Sequence, residues 1–165
     1  MERIRTSSQR RQPDAILTAD WHLREDRPTC RTDDFERAQW SKVDFVAQLQ
    51  KQYNCPVLHA GDLFHHWKPS PYLLSKTIEH LPEMFYTIFG QHDLPQHNLE
   101  LSFKSGIFTL ERAGKLTILK GCHFGQFPPK TKDHPMTLNI DGRTVLLWHY
   151  LAYQMKPFPD ASGGM

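Results

Sequence analysis

The sequence predicts an α/β fold whose first half has the order β-α-β-α-β. Short apolar runs alternate there with segments of helical periodicity, which is typical of parallel strands joined by helical crossovers. Further along, two alternating segments flank Asp141-Gly142, a strong two-residue hairpin turn that indicates a second sheet packed on the first. Four of the apolar runs also lead directly into aspartate, glutamine or histidine. We therefore expect a two-sheet α/β sandwich with a polar site at the strand ends.

The first half contains three predicted strands and two predicted helices. The strands are residues 15–19, 56–60 and 84–89. Asp33 can cap the first helix, with Glu36 three residues later in capping-box spacing, and a broad apolar face continues to Tyr53. Ser70-Pro71 supplies an N-cap and a first helical position for the second helix, which ends before Pro82.

The second half is predicted to contain a shorter helix, a further strand and the hairpin. The helix covers 101–113, with Gly114 as its C′ residue. The strand covers 116–119, an irregular stretch follows to 133, and the return strand of the hairpin runs from 143 to 148. We therefore divide the chain into a flexible basic arm at 1–13, one domain at 14–150 and a weakly patterned tail at 151–165.

Composition limits the class of protein. The chain has 165 residues, of which 39% are hydrophobic, so it is long enough for one domain with a core. A net charge of +2 is too small to indicate a nucleic-acid partner by itself, although four arginines lie in the first eleven residues. Three widely spaced cysteines favour free thiols in a reducing compartment, and no apolar run could span a membrane. We expect a cytoplasmic protein, and ten histidines suit a metal site.

The residues at the strand ends are candidate metal ligands. Asp20 and His22 are two residues apart beyond the first strand, so both side chains can point to the same side. Asp62 adds a carboxylate that could bridge two cations, while Gln91 offers an amide oxygen and His149 an imidazole. Two ions about 3.5–4 Å apart can clamp a phosphate and generate a hydroxide near neutral pH.

His92, beside Gln91, could protonate a leaving oxygen as a general acid. Other histidines are assigned lesser roles. We expect His65 and His66 to be solvated or to lie behind the ligands, and His97 could lie at the mouth of the site. The remaining four are expected to be structural or exposed: His59, His80, His123 and His134. Trp21 and Trp67 could stack on bases but are more often packing residues.

These residues resemble the ordered motifs of calcineurin-like metallophosphoesterases. The motifs are Asp20-x-His22, Gly61-Asp62, Gly90-Gln91-His92-Asp93 and Trp148-His149, and the resemblance runs from about residue 16 to residue 149. It implies a two-sheet sandwich with a site for two metal ions, commonly manganese, with iron, zinc or magnesium as alternatives. It implies that Asp20 and His22 hold the first ion, that Asp62 bridges, and that Gln91 and His149 hold the second. It also implies that His92 contacts the substrate phosphate and that Asp93 orients it.

Within that superfamily, Asp20-Trp21-His22-Leu23 and the run from Gly61 to His65 are most similar to the exonuclease subunits of double-strand-break repair and their bacteriophage relatives. Two positions depart from the family pattern. Gln91 stands where the family usually has asparagine, and no Gly-His-x-His motif follows His149. We therefore expect a C-terminally truncated domain, whose missing ligands would come from another chain or be absent.

Three functions follow as alternatives. The favoured one is a dimetal phosphoesterase acting on DNA, a nuclease, with an ATPase subunit or a second copy of itself as possible partners. The second is the same fold acting on a small phosphoester. The third is a truncated, weakly metallated binding module without activity.

Overall fold

The main sheet consists of four short parallel strands in sequence order. The computed structural model describes residues 12–119, 137–140 and 142–147. The strands are β1 (Ile16–Thr18), β2 (Val57–His59), β3 (Phe85–Thr87) and β4 (Thr117–Ile118). They pair in the order β1-β2-β3-β4, and every pair is parallel, as the sequence predicts. No helix in the described ranges is long and apolar enough to cross a membrane.

Three α-helices connect these strands. They are α1 (Phe35–Tyr53), α2 (Pro71–His80) and α3 (Gly106–Arg112), and 3₁₀ turns at Pro95–His97 and Leu99–Lys104 precede α3. The caps follow the sequence signals closely. Ser70 caps α2 as expected, accepting a backbone N–H at 3.1 Å. The cap predicted for α1 at Asp33 is wrong by one residue: Asp34 accepts the N–H of Arg37, while Asp33 pairs with the guanidinium of Arg31.

The third helix is shorter than predicted because the chain is extended at Ser105. That residue has φ −83° and ψ 156°, and its hydroxyl caps α3. Tertiary contacts fix this break. The N–H of Gly106 donates to the carbonyl of Trp67 at 2.8 Å, and a Cβ added at Gly106 would lie 2.4 Å from Pro69. Gly114 follows the helix at φ +69°, the left-handed C′ position predicted for it.

The helices cover one face of the sheet. Val57, Phe85 and Ile118 point to that face and are at most 4% exposed. They pack against buried side chains of the three helices: Trp40, Val43, Leu73, Ile107 and Leu110. Because adjacent strand residues point to opposite faces, Leu58 and Tyr86 face the other side of the sheet.

A two-stranded antiparallel sheet packs on that other side. Its strands are β5 (Thr137–Ile140) and β6 (Arg143–Leu146), with Ile140 opposite Arg143 and Gly142 at φ +77° between them. Leu147 is buried against Leu58 and Leu119. The predicted α/β sandwich of two sheets is therefore confirmed.

Candidate metal centre

The loops that follow β1 and β2 run side by side and are held together by backbone hydrogen bonds. The N–H groups of Asp20, His22 and Leu23 donate to the carbonyls of Gly61, Asp62 and Leu63 at 2.8 to 3.0 Å. These bonds extend the parallel pairing beyond the strands. As a result, the two motifs that supply the predicted first ion and its bridging carboxylate lie next to each other.

Three residues in these loops adopt left-handed backbone conformations. Asp20, His22 and Asp62 have φ values of 53°, 46° and 57°. Residues other than glycine rarely occupy this region of backbone conformation, and the strain persists only where the surrounding structure enforces it. All three were predicted as metal ligands from the sequence. With these backbone conformations, the three side chains converge on one place beyond the ends of β1 and β2.

The side chains of these three residues form a compact group of possible ligands. One ligand atom from each lies within 4.8 Å of the others. His22 Nε2 is 3.8 Å from Asp20 Oδ1 and 3.7 Å from Asp62 Oδ2. Two atoms that each bind an ion at about 2.1 Å can be at most about 4.2 Å apart, so these separations permit a shared ion. Two carboxylates and an imidazole are also the donor set that suits a divalent transition metal.

Asp62 is the buried member of this group. Its side chain is 3% exposed, whereas that of Asp20 is 57% exposed. Asp62 Oδ1 accepts the backbone N–H of His92 at 2.8 Å, which ties it to the loop after β3. The carboxylate predicted to bridge two ions is thus the one that the fold positions most firmly.

Asp93 holds the loops after β2 and β3 together. Its carboxylate accepts four backbone N–H groups, from Asp62, Leu63, Phe64 and Gly90, at 2.8 to 3.3 Å. Burial raises the pKa of Asp93 to about 7, although the N–H donors of Gly90 and Phe64 act in the opposite direction. The family resemblance implies that Asp93 orients His92. In the described structure the contacts of its carboxylate are these four backbone N–H groups.

The imidazole of His92 is hydrogen-bonded to a backbone carbonyl. Its Nδ1–H donates to the backbone carbonyl of His65 at 2.9 Å, which leaves Nε2 as the ring nitrogen available for proton transfer. The His92 and His22 rings lie 4.8 Å apart, centroid to centroid. His92 therefore lies beside the ligand group formed by Asp20, His22 and Asp62.

His65 lies closer to the centre than the sequence indicated. Its ring is 5.7 Å from that of His22 and 5.5 Å from that of His92. Burial, the positive charge of Arg24 and the neighbouring His22 lower the pKa of His65. His66, by contrast, is exposed and accepts the N–H of Lys68, as expected for a solvated histidine.

The predicted ligands of the second ion are less well defined. The backbone carbonyl of Gln91 accepts from the Leu94 N–H and from His97 Nδ1, at 3.4 and 2.9 Å. That contact places His97 beside Gln91. His149 lies outside the described residues, as does Trp148.

Two of the four histidines predicted to be structural or exposed, His123 and His134, lie outside the described residues. Of the other two, His80 is partly buried, with Nδ1 2.6 Å from Asp44 Oδ1. His59 is fully buried, with Nδ1 3.0 Å from the Thr87 hydroxyl. The Trp21 ring is 5.3 Å from the rings of both His59 and Phe85. Trp21 is therefore a packing residue under the centre.

A cavity of about 580 Å³ adjoins the candidate centre. Its walls include Asp20, His22 and His92. Three cationic side chains also line it (Arg24, Arg31 and Lys42), together with apolar residues of α1 such as Phe35, Val43 and Val46. The volume is within the range of ligand sites. Its walls can accommodate both an anionic group and an apolar or aromatic one.

Sequence reasoning missed two features of the centre. Gly90 has no positive φ, but a Cβ there would lie 2.1 Å from Asp62 Oδ1, so only glycine fits. His65 was assigned no direct role, although it follows Asp62 by three residues in the same loop. Its position after a motif aspartate is the signal that could have found it.

A family model described as calcineurin-like phosphoesterase matches residues 15–151. No curated protein matches the chain. The family match covers most of the chain and includes Asp20, His22, Asp62 and His92, the residues that the fold brings together. The chain therefore belongs to the calcineurin-like phosphoesterase family.

Proposed function

We propose that this chain is a metal-dependent nuclease that hydrolyses phosphodiester bonds in DNA. Membership of the calcineurin-like phosphoesterases makes it a hydrolase of a family that binds two divalent metal ions. The preference for DNA, for manganese and for the branch of double-strand-break repair exonucleases and phage relatives is our proposal. The observation that carries it is the cavity lined with cations beside the candidate ligands.

The residues present fit the ions that the family binds. Asp20, His22 and Asp62 would hold the first ion, with Asp62 shared with a second that Gln91 and His149 would complete. His22 Nδ1 is buried without a hydrogen-bond partner among the described residues. The other ring nitrogen, Nε2, lies near both carboxylates, as a ligand of the same ion would. When bound, two such ions supply Lewis acidity toward the phosphoryl oxygens and lower the pKa of the attacking water.

In this proposal His92 protonates the leaving oxygen. Its Nδ1–H is fixed on the His65 carbonyl, so the protonated ring presents its second N–H from Nε2. The backbone N–H of His92 is at the same time bound to Asp62 Oδ1. This hydrogen bond ties the acid to the bridging carboxylate.

The charge distribution in the cavity favours an extended anion. Arg24 is hydrogen-bonded to Asp26, and Arg31 to Asp33. Lys42 makes no salt bridge with another residue that the structure describes, although, after the hydrogen bond from Arg31, its charge is one of the causes that lower the pKa of Asp33. It is therefore the least neutralised of the three cations. A nucleotide strand that passes the centre would place a second phosphate near Lys42 and a base or sugar against the apolar side of α1.

The test compares Lys42→Met with Lys76→Met. Lys76 lies on α2, pairs with Glu79 and is not a wall of the cavity, so its variant is a matched control. Anisotropy of a labelled single-stranded oligonucleotide in Mn²⁺ should show weaker binding for Lys42→Met alone. The dependence of log affinity on log salt should fall by about 0.7 for the one lost phosphate contact.

Hydrolysis assays separate the alternatives. In Mn²⁺, Lys42→Met should raise the KM for the oligonucleotide and leave hydrolysis of bis-p-nitrophenyl phosphate unchanged. Cleavage of the small diester with no binding of DNA would instead establish a small-molecule phosphodiesterase. Elemental analysis showing no bound metal, with no activity on either substrate, would contradict both enzymatic functions.

A further inference from the structure

Three imidazoles from three different loops lie close together beside Asp20 and Asp62, the two carboxylates of the candidate centre. His22 follows β1, His65 follows β2 and His92 follows β3. One ring nitrogen from each lies within 4.8 Å of the others. Of these three, the family resemblance assigns His22 to the first ion and His92 to the substrate, and it assigns no role to His65.

The spacing of the rings matches one ion bound by all three. A zinc–nitrogen bond of about 2.1 Å, continued to the ring centre, puts tetrahedral imidazole centroids about 5 Å apart. The observed centroid separations are 4.8, 5.5 and 5.7 Å.

A hydrogen bond prepares one of the three rings, that of His92, for this role. His92 donates Nδ1–H to the His65 carbonyl, so its neutral form has the lone pair on Nε2. A ligating histidine usually has its other nitrogen fixed in this way. His22 Nδ1 is buried and has no hydrogen-bond partner in the described part of the chain.

The two groups of ligands differ in chemistry. The group Asp20, His22 and Asp62 is rich in oxygen and suits manganese or magnesium. The group His22, His65 and His92 offers nitrogen alone, which favours the later first-row ions, zinc and copper above all. Only His22 is common to both.

We propose that His22, His65 and His92 form a second metal site that takes zinc or copper and, when filled, inhibits the enzyme. An ion there occupies Nε2 of His92, so this ring can no longer give a proton to a leaving group. It also competes with manganese for His22. The binding of zinc or copper at this site does not require the nuclease function proposed above. Only the inhibition rests on that function.

Calorimetry with Zn²⁺ alone and with Mn²⁺ alone tests the site on the whole chain. His65→Phe keeps a planar ring but removes the nitrogens, so Zn²⁺ affinity should fall at least about 10-fold while Mn²⁺ affinity stays the same. Asp20→Asn should produce the opposite pattern. His66→Phe changes the neighbouring exposed histidine and should alter neither affinity. Unchanged Zn²⁺ binding in His65→Phe would overturn the proposal, and so would an equal loss of both ions in both variants.

A measurement on the unmodified chain keeps the test independent of variant folding. The electron paramagnetic resonance spectrum of one equivalent of Cu²⁺ should show coupling to three nitrogens. Coupling to a single nitrogen would indicate that copper binds Asp20, His22 and Asp62 instead, and it would contradict the proposed three-histidine site. Because both measurements report binding, a chain without nuclease activity would still give a decisive answer.

Discussion

The close approach of Gly90 to Asp62 predicts that Gly90→Ala will dismantle the metal centre. The added Cβ would lie 2.1 Å from Asp62 Oδ1, 2.3 Å from its backbone nitrogen and 2.6 Å from Cγ, whereas ordinary contacts begin near 3.4 Å. The nearest atoms would have to move by more than 1 Å. Because one of them is backbone, a change of side-chain rotamer cannot relieve the clash.

The cost of this variant has two sources. Overpacking of a buried site costs about 1–3 kcal/mol. Moving Asp62 also weakens its hydrogen bonds to the N–H of His92 and to Asp93, both 2.8 Å long, at about 1 kcal/mol or more each. We expect a loss of about 3–5 kcal/mol in unfolding free energy and a fall in melting temperature of roughly 6–20 °C for a chain of this size.

Thermal denaturation would measure the loss of stability. Calorimetry with Mn²⁺, at a temperature where the variant is folded, would measure the damage to the centre. The affinity for Mn²⁺ should fall at least about 10-fold, because Asp62 is displaced from the other ligands. Gly114→Ala is the matched control. It lies in open space at φ +69°, so it should cost about 1–2 kcal/mol from backbone strain and leave Mn²⁺ binding unchanged. A Gly90→Ala protein with the melting temperature and Mn²⁺ affinity of the wild type would refute the reasoning.

Three further substitutions test individual residues of the centre. Asparagine tolerates the left-handed backbone at position 62, so Asp62→Asn should keep the fold. It should weaken Mn²⁺ binding at least about 10-fold, and by a larger factor than Asp20→Asn does. Calorimetric affinities in the reverse order would contradict the bridging role of Asp62. His92→Ala should retain Mn²⁺ but lose about 100-fold or more in kcat, and loss of Mn²⁺ itself would make His92 a ligand of that ion. Asp93→Ala leaves four buried N–H groups without their acceptor and should cost at least about 4 kcal/mol in urea denaturation, whereas Asp93→Asn keeps one acceptor oxygen and should cost less; a loss under about 1 kcal/mol for Asp93→Ala would be inconsistent with this role.

Local signals in the sequence predict most of the fold. The cap at Ser70, the left-handed Gly114 and the hairpin turn before Arg143 each depend on residues close together in the chain. The prediction fails where a distant partner decides. Asp33 loses the cap to its neighbour because it pairs with Arg31, and the helix expected over 101–113 is interrupted by contacts with the loop after β2.

The candidate centre shows the same division. Asp20, His22 and Asp62 could be found from their positions at strand ends, and the parallel sheet brings them together. The binding of Asp93 to four backbone N–H groups could not be predicted from the sequence, because three of its partners lie about thirty residues earlier in the chain. The space that requires Gly90 to be glycine is likewise created only when the loops after β2 and β3 pack together.

The hydrogen bonds of Asp93 have a consequence for amide hydrogen exchange. The amide protons of Asp62, Leu63, Phe64 and Gly90 are bound to one carboxylate rather than to a neighbouring strand. Exchange with deuterated solvent requires that this carboxylate release them, so one local opening event governs all four. Their common protection factor would therefore report the opening equilibrium of the metal centre in the absence of any ion, substrate or turnover.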